Sequence, residues 1–247
     1  MKHSALLLLA LGLACSISPA VTASQPQLIG EGTRVLFIGN SYTYSADVPG
    51  IVQAMAEAAG GTKLAVATVA GPDRALADHW SEGTSRREIA KGGWQWVVLQ
   101  QGPSSTTMNR DSLRLLTGFF AAEISRAGGR TALFSAWPAH DRRVDFPRAI
   151  ESYTLAAADV NGTLLPVAQA WKQAWDADEN IGLYVDGLHP SSAGAYLAGL
   201  VIYARLLGQT PKGLPSMLRL RSGAVLSISP EKATALQALA AALVGVP

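Results

Sequence analysis

Apolar and polar positions along this chain fall into a repeating order. Residues 34–39 form a short apolar run ending in Gly39, the pattern of a buried strand, and residues 48–59 follow with apolar positions at helical spacing. The pair recurs: residues 63–69 read as a strand and 74–91 as a broken helical region, then 96–100 as a strand and 111–127 as a helix stopped by Gly128 and Gly129. Residues 130–135 and 163–167 read as further strands, followed by helices at 148–159 and 168–176. A helix is expected over 191–207, with positions 197, 200, 201 and 204 on one side and Gly208 and Pro211 ending it. The last spans 230–244, with Ser229 as N-cap and Pro230 at its first position. Strand runs without polar alternation, each feeding a helix, imply an α/β fold whose parallel sheet is covered on both faces. No internal repeat or dividing linker is present.

The start of the chain breaks this order. Met1-Lys2-His3 precedes an apolar run over residues 5–14 that is short for a membrane span, and Val21-Thr22-Ala23 ahead of Ser24 carries small residues at alternate positions. This is the pattern of a signal peptide over residues 1–23, leaving one domain at 24–247 in an exported, periplasmic or secreted protein. The rival is a lipoprotein acylated at Cys15, disfavoured because Gly12 stands where such signals carry a larger aliphatic residue. Cys15 is the sole cysteine, so the mature chain has neither a disulfide nor a thiolate metal site. The net charge of +2, with Lys and Arg scattered, shows no footprint for nucleic acid. Arg86-Arg87 and Arg142-Arg143 read as solvated pairs, and Asn161-Gly162-Thr163 matches a glycosylation acceptor.

In open parallel sheets, ligands bind at the carboxyl ends of the strands, so the loops there matter most. On the first, Gly39-Asn40-Ser41 places a hydroxyl directly after a strand and before a helix, although Ser is also a common N-cap. Near the end of the chain, Asp186-Gly187-Leu188-His189-Pro190 puts a carboxylate three residues before a histidine. That spacing lets Asp186 reach His189 Nδ1 and turn Nε2 outward as a general base, whereas the bland alternative is a loop histidine that packs locally. There is no HExxH or clustered ligand spacing, so neither a metal nor another cofactor is expected. His79 and His140 read as surface or supporting residues.

Phe37-Ile38-Gly39-Asn40-Ser41 resembles the GDS block of the SGNH (GDSL-like) hydrolases, and Asp186-Gly187-Leu188-His189-Pro190 resembles their closing DxxHP block. The resemblance implies a three-layer, flavodoxin-like α/β/α fold with a central sheet of five strands. It also implies a Ser41, His189 and Asp186 triad working through an acyl-enzyme. The family's oxyanion donors map onto the Ser41 N–H, the Gly71 N–H and a side chain after the third strand, where Gln100-Gln101-Gly102-Pro103-Ser104 lacks the usual Asn. Gln101 is the first choice, Gln100 the second, and Ser104 aligns most literally. Asn40 replaces the Asp of the GDS block. With Trp137, on the loop after the fourth strand, Asn40 is expected at the substrate, although core packing is the alternative for Trp137. The GxSxG elbow of the unrelated α/β-hydrolases is absent.

The activity so implied is hydrolysis of short acyl, especially acetyl, esters of carbohydrates or related small molecules. The alternatives are a general arylesterase or lysophospholipase, an O-acyltransferase using the same acyl-enzyme, and a noncatalytic binding protein on the same scaffold.

Overall fold

The computed structural model describes residues 32–61 and 63–246; the expected signal peptide, with Cys15, lies outside them. Five strands form one parallel sheet: β1 (Thr33–Gly39), β2 (Leu64–Ala70), β3 (Trp96–Leu99), β4 (Arg130–Phe134) and β5 (Thr163–Leu165). Their order is β2-β1-β3-β4-β5. The chain therefore adds β2 on one side of β1 and all later strands on the other. Connections leave β1 and β3 in opposite directions, which opens a crevice at the carboxyl ends of these two strands. Gly39 pairs with Ala70 and Ile38 with Leu99, so the loops beginning at Asn40, Gly71 and Gln100 emerge along one edge.

Alternate residues of β1 enter two separate cores. Val35 and Phe37 pack with Val98 and Phe134 beneath α2 (Val48–Ala58), α7 (Val167–Ala177), α8 (Ser192–Leu207) and α9 (Pro230–Val244). Leu36 and Ile38 pack with Val97, Leu99 and Leu133 beneath α5 (Thr107–Arg126) and α6 (Phe146–Asp159). Burial on both faces is the reason these strands show no polar alternation.

Several boundaries differ from the pattern in the sequence. The broken region at 74–91 resolves into α3 (Leu76–Glu82) and α4 (Thr84–Ala90), parted by Gly83 at φ +73°. The helix expected from residue 111 begins at Thr107, because the Thr106 hydroxyl accepts the Asn109 N–H at 3.3 Å as an N-cap. A short α1 (Ser41–Tyr44) follows β1, and a 3-10 turn (His140–Asp145) leads into α6. The expected one-sided burial of residues 191–207 is too narrow, since every α8 residue except Ser192 and Arg205 is buried. Gly199 permits this: a Cβ there would meet Ile51 Cγ2 at 2.6 Å, so α2 and α8 approach at close range. An antiparallel pair, β6 (Met217–Arg219) and β7 (Val225–Ser227), was not foreseen because strands this short carry too few positions to show a period. Arg142 and Arg143 are not simply solvated: they pair with Asp145, and with Asp176 and Glu179. Among the described residues no helix is long and apolar enough to cross a membrane.

Candidate active site

β1 delivers Gly39 to the crevice, and Asn40 turns the chain into α1. The Asn40 carbonyl oxygen of the side chain accepts the Tyr42 N–H at 3.2 Å, capping the helix, and its Nδ2 donates to the Arg74 carbonyl at 3.0 Å. From β3, the Gln100 side chain grips this turn. Its Oε1 accepts from the Asn40 N–H at 2.9 Å and the Thr43 hydroxyl at 2.8 Å, while Nε2 donates to Asn40 Oδ1 at 2.9 Å and the Gln101 carbonyl at 2.5 Å. Gly39 must lack a side chain, because a Cβ would overlap Gln100 Oε1 and Thr43 Oγ1. The result is a rigid turn that presents Ser41 as the first residue of α1, partly exposed. Neither its N–H nor its hydroxyl forms a hydrogen bond among the described residues.

Asp186 and His189 lie on a tight loop before α8. Tyr184 and Pro190 bridge its base, and the Val185 N–H donates to the His189 carbonyl at 3.0 Å. Gly187 takes φ +83°, a left-handed conformation that favours glycine, and its carbonyl accepts the His140 N–H at 2.8 Å. Asp186 Oδ2 lies 2.7 Å from His189 Nδ1, and Oδ1 accepts the N–H groups of Leu188 at 2.9 Å and His189 at 2.7 Å. The His189 hydrogen bond first, and the two backbone donors after it, hold the Asp186 carboxyl well below the usual carboxylate range. An ionised Asp186 requires the proton on Nδ1, which leaves Nε2 as the acceptor.

The two halves of the site meet through aromatic rings. Tyr42, adjacent to Ser41, sets its ring 6.4 Å from that of His189 and edge-on to Trp137 at 4.9 Å. Trp137 Nε1 in turn donates to the Leu188 carbonyl at 3.0 Å. Burial first, and then the charge of Asp186, push the Tyr42 hydroxyl well above its ordinary value, so it stays protonated. No hydrogen bond joins Ser41 Oγ to His189 among the described residues, a gap that apo geometry permits.

Other expected positions take different roles. Trp137, expected at the substrate, is fully buried and stacked on Trp171 with centroids 3.7 Å apart, the core-packing alternative, because its large apolar surface gains more from the core than from the rim. The Asn40 side chain also turns inward, to Arg74 and Gln100, and braces the turn rather than facing a ligand. Of the expected third oxyanion donors, Gln100 has both amide hydrogens engaged as described. Gln101 Nε2 donates to Ser104 Oγ at 2.9 Å and the Asn109 carbonyl at 3.4 Å, while its Oε1 accepts the Leu76 N–H at 3.1 Å. Ser104 donates to the Gly102 carbonyl at 3.1 Å. All three are buried braces, since a polar side chain in the interior must find local partners. The Gly71 N–H points to the Gly39 carbonyl at a long 3.3 Å.

Of the two readings open for His79, surface or supporting, the structure favours the second. His79 is buried, with Nε2 2.9 Å from the Gly39 carbonyl and Nδ1 3.0 Å from Ser85 Oγ. Its spacing of three from Leu76 on α3 was the available signal, because it places both on one helix face. His140 is exposed at the surface and stacks on Trp175 at 4.8 Å. Among the described residues no group of three or more His, Cys, Asp or Glu is placed to hold a metal ion.

Comparison with protein-family models gives no match, and no curated protein matches. Solved structures do. A protein from Slackia heliotrinireducens provisionally classed as an SGNH hydrolase superposes with a TM-score of 0.59 at 24% identity, covering 71% of this chain and 100% of that one. A lipase/acylhydrolase from Enterococcus faecalis gives 0.59 at 20% identity, covering 71% and 96%. A catalytic mutant of an acetylxylan esterase from Geobacillus stearothermophilus gives 0.53 at 15%, covering 73% and 94%. The parallel sheet in the order β2-β1-β3-β4-β5, with helices on both faces, is thus the fold of the SGNH hydrolases.

Proposed function

We propose that this protein is a serine ester hydrolase in which Ser41 is the nucleophile, His189 the general base and Asp186 the residue that orients it. The observation that carries the reading is the 2.7 Å contact of Asp186 with His189 Nδ1, which turns Nε2 outward on a loop tied to the Ser41 turn through Tyr42 and Trp137. Ser41 Oγ attacks the ester carbonyl as His189 Nε2 takes its proton, giving a tetrahedral alkoxide. Collapse expels the alcohol, protonated by His189, and leaves the acyl group on Ser41. Water, deprotonated by His189, then releases the acid. The unpartnered Ser41 N–H and the weakly held Gly71 N–H are the backbone donors assigned to the alkoxide.

Short acyl esters of carbohydrates are the favoured substrates, supported by the likeness to acetylxylan esterases. An apolar acyl or aryl ester is the second reading, favoured by Val185 and Leu188, which flank Asp186 and His189 and are 71% and 37% exposed. Action outside the cytoplasm follows from the N-terminal signal pattern.

The test is hydrolysis of nitrophenyl esters from acetyl to octanoyl by the purified protein, beside Ser41→Ala. Activity that peaks at acetyl and vanishes in the variant supports the favoured reading, whereas a peak at octanoyl moves the choice to apolar esters. Ester retained on an added polysaccharide identifies an acyltransferase. Equal rates for both proteins, with no labelling of Ser41 by a fluorophosphonate, would leave a binding protein.

A further inference from the structure

Among the buried titratable side chains to which acyl transfer gives no task, His79 lies nearest in hydrogen bonding to the Ser41 turn. His79 on α3 is 3% exposed and Ser85 on α4 is 0% exposed, and together they form a polar relay ending on the carbonyl of Gly39, two residues before Ser41. A carbonyl can only accept, so Nε2 carries the proton and donates to Gly39, while Nδ1 accepts from the Ser85 hydroxyl. Packing alone does not call for an imidazole here: Leu76, one helical turn earlier on the same face, is fully buried, and an aliphatic side chain would fill such a place without burying polar atoms.

The Gly39 carbonyl does not need His79 for its own satisfaction either. In the parallel ladder it already has the Gly71 N–H, but at 3.3 Å, whereas His79 Nε2 lies at 2.9 Å. The first is beyond the usual range for an N–H···O bond and the second is at its centre. The imidazole thus supplies the shorter bond, and the backbone amide that the ladder would hold is held loosely.

We propose that His79 is a positioning residue for the oxyanion side of the site: by donating to the Gly39 carbonyl it fixes the turn that carries Ser41 and leaves the Gly71 N–H available to the developing alkoxide. The proposal rests on the ester-hydrolase reading. Burial lowers the proton affinity of the imidazole and outweighs the bond to the Gly39 carbonyl, which raises it; of the charges around the ring Arg74 acts with burial while Asp78 opposes it. A neutral ring is what lets Nδ1 accept from Ser85 and holds the donor on Nε2.

The experiment compares wild type with Ser41→Ala, His79→Leu, His79→Gln and Ser85→Ala in the full chain. It measures kcat and KM on nitrophenyl acetate, per fluorophosphonate-titrated site where Ser41 is retained and per mole of protein when wild type is set beside Ser41→Ala, together with the affinity of phenylboronic acid, which forms a tetrahedral adduct on the serine. His79→Leu is expected to lower kcat about tenfold with KM changed less than about twofold, because misplacing the reacting groups costs rate before it costs binding. Boronate affinity falls by the same factor, and His79→Gln, whose amide can still donate to Gly39, recovers most of both. Should His79→Leu fail to fold, Ser85→Ala carries the test, with the same coupled loss at smaller size.

A kcat per site unchanged in His79→Leu, a loss of kcat without loss of boronate affinity, or a loss that His79→Gln does not relieve overturns the proposal while hydrolysis remains dependent on Ser41. In the event of Ser85→Ala being the only foldable variant, unchanged kcat and boronate affinity overturn it as well. If wild type and Ser41→Ala hydrolyse equally, the ester-hydrolase reading fails and the proposal fails with it, an outcome distinct from the others.

Discussion

Asp186 makes three hydrogen bonds through two oxygens, and only the one to His189 Nδ1 bears on chemistry. Asp186→Asn retains an oxygen for the Leu188 and His189 N–H groups, so the loop should keep its shape while the imidazole tautomer is lost. We expect kcat to fall by about a thousandfold or more, with the thermal midpoint little changed, as measured by ester hydrolysis beside a melting curve. Trp137 separates positioning from substrate contact. Trp137→Phe keeps most of the apolar bulk but removes the donor to the Leu188 carbonyl, which should cost about 1 kcal/mol of stability and lower kcat rather than raise KM. A rise in KM alone would instead place the ring at the substrate.

At the scale of the elements, the site depends on two turns that admit no ordinary side chain. Gly187 sits at φ +83° between Asp186 and His189, so Gly187→Ala should destabilise the fold by about 1–2 kcal/mol and disorder the loop on which the carboxylate meets the imidazole. Urea unfolding together with kcat measures both effects, and an unchanged kcat would show that the loop tolerates the strain. Much of this was legible beforehand. The five strands, the helix starting at Pro230 and the placing of Ser41 after β1 follow from apolar runs and capping residues. What escaped were elements whose cause is not periodic: the early start at Thr107 and the β6–β7 pair. The partners of the third strand's loop were hidden for a related reason. Gln100, Gln101 and Ser104 have the chemistry of oxyanion donors, and nothing in their order along the chain reveals that their hydrogens go to Asn40, Asn109 and neighbouring carbonyls.

For the molecule as a whole, Asp186 and His79 are among the groups whose shifted proton affinity makes stability depend on pH. The folded-state value of Asp186 is depressed, so its contribution is fully present above the unfolded value of 3.8 and is lost as pH falls through the folded one. His79 is also lowered, because the buried ring resists protonation. The unfolded chain then binds more protons below 6.5, and stability declines as pH drops from 6.5 toward the folded value. Melting midpoints taken from pH 8 to 4 should show that decline in wild type and a flatter profile in His79→Gln. Reductant should leave the midpoint unchanged, since a chain with one cysteine can form no internal disulfide. The order of apolar runs and turn residues by itself determined the α/β class and the sheet covered on both faces, because these depend on local periodicity, and the spacing of three between Asp186 and His189 marked that pair as able to meet on one loop. Only the tertiary structure decided that Trp137, Asn40 and the Gln100–Gln101 pair face inward and that His79 reaches the Gly39 carbonyl. Those outcomes depend on which distant polar partner or apolar surface comes within a few ångströms once the layers pack, and no pattern along the chain encodes that distance.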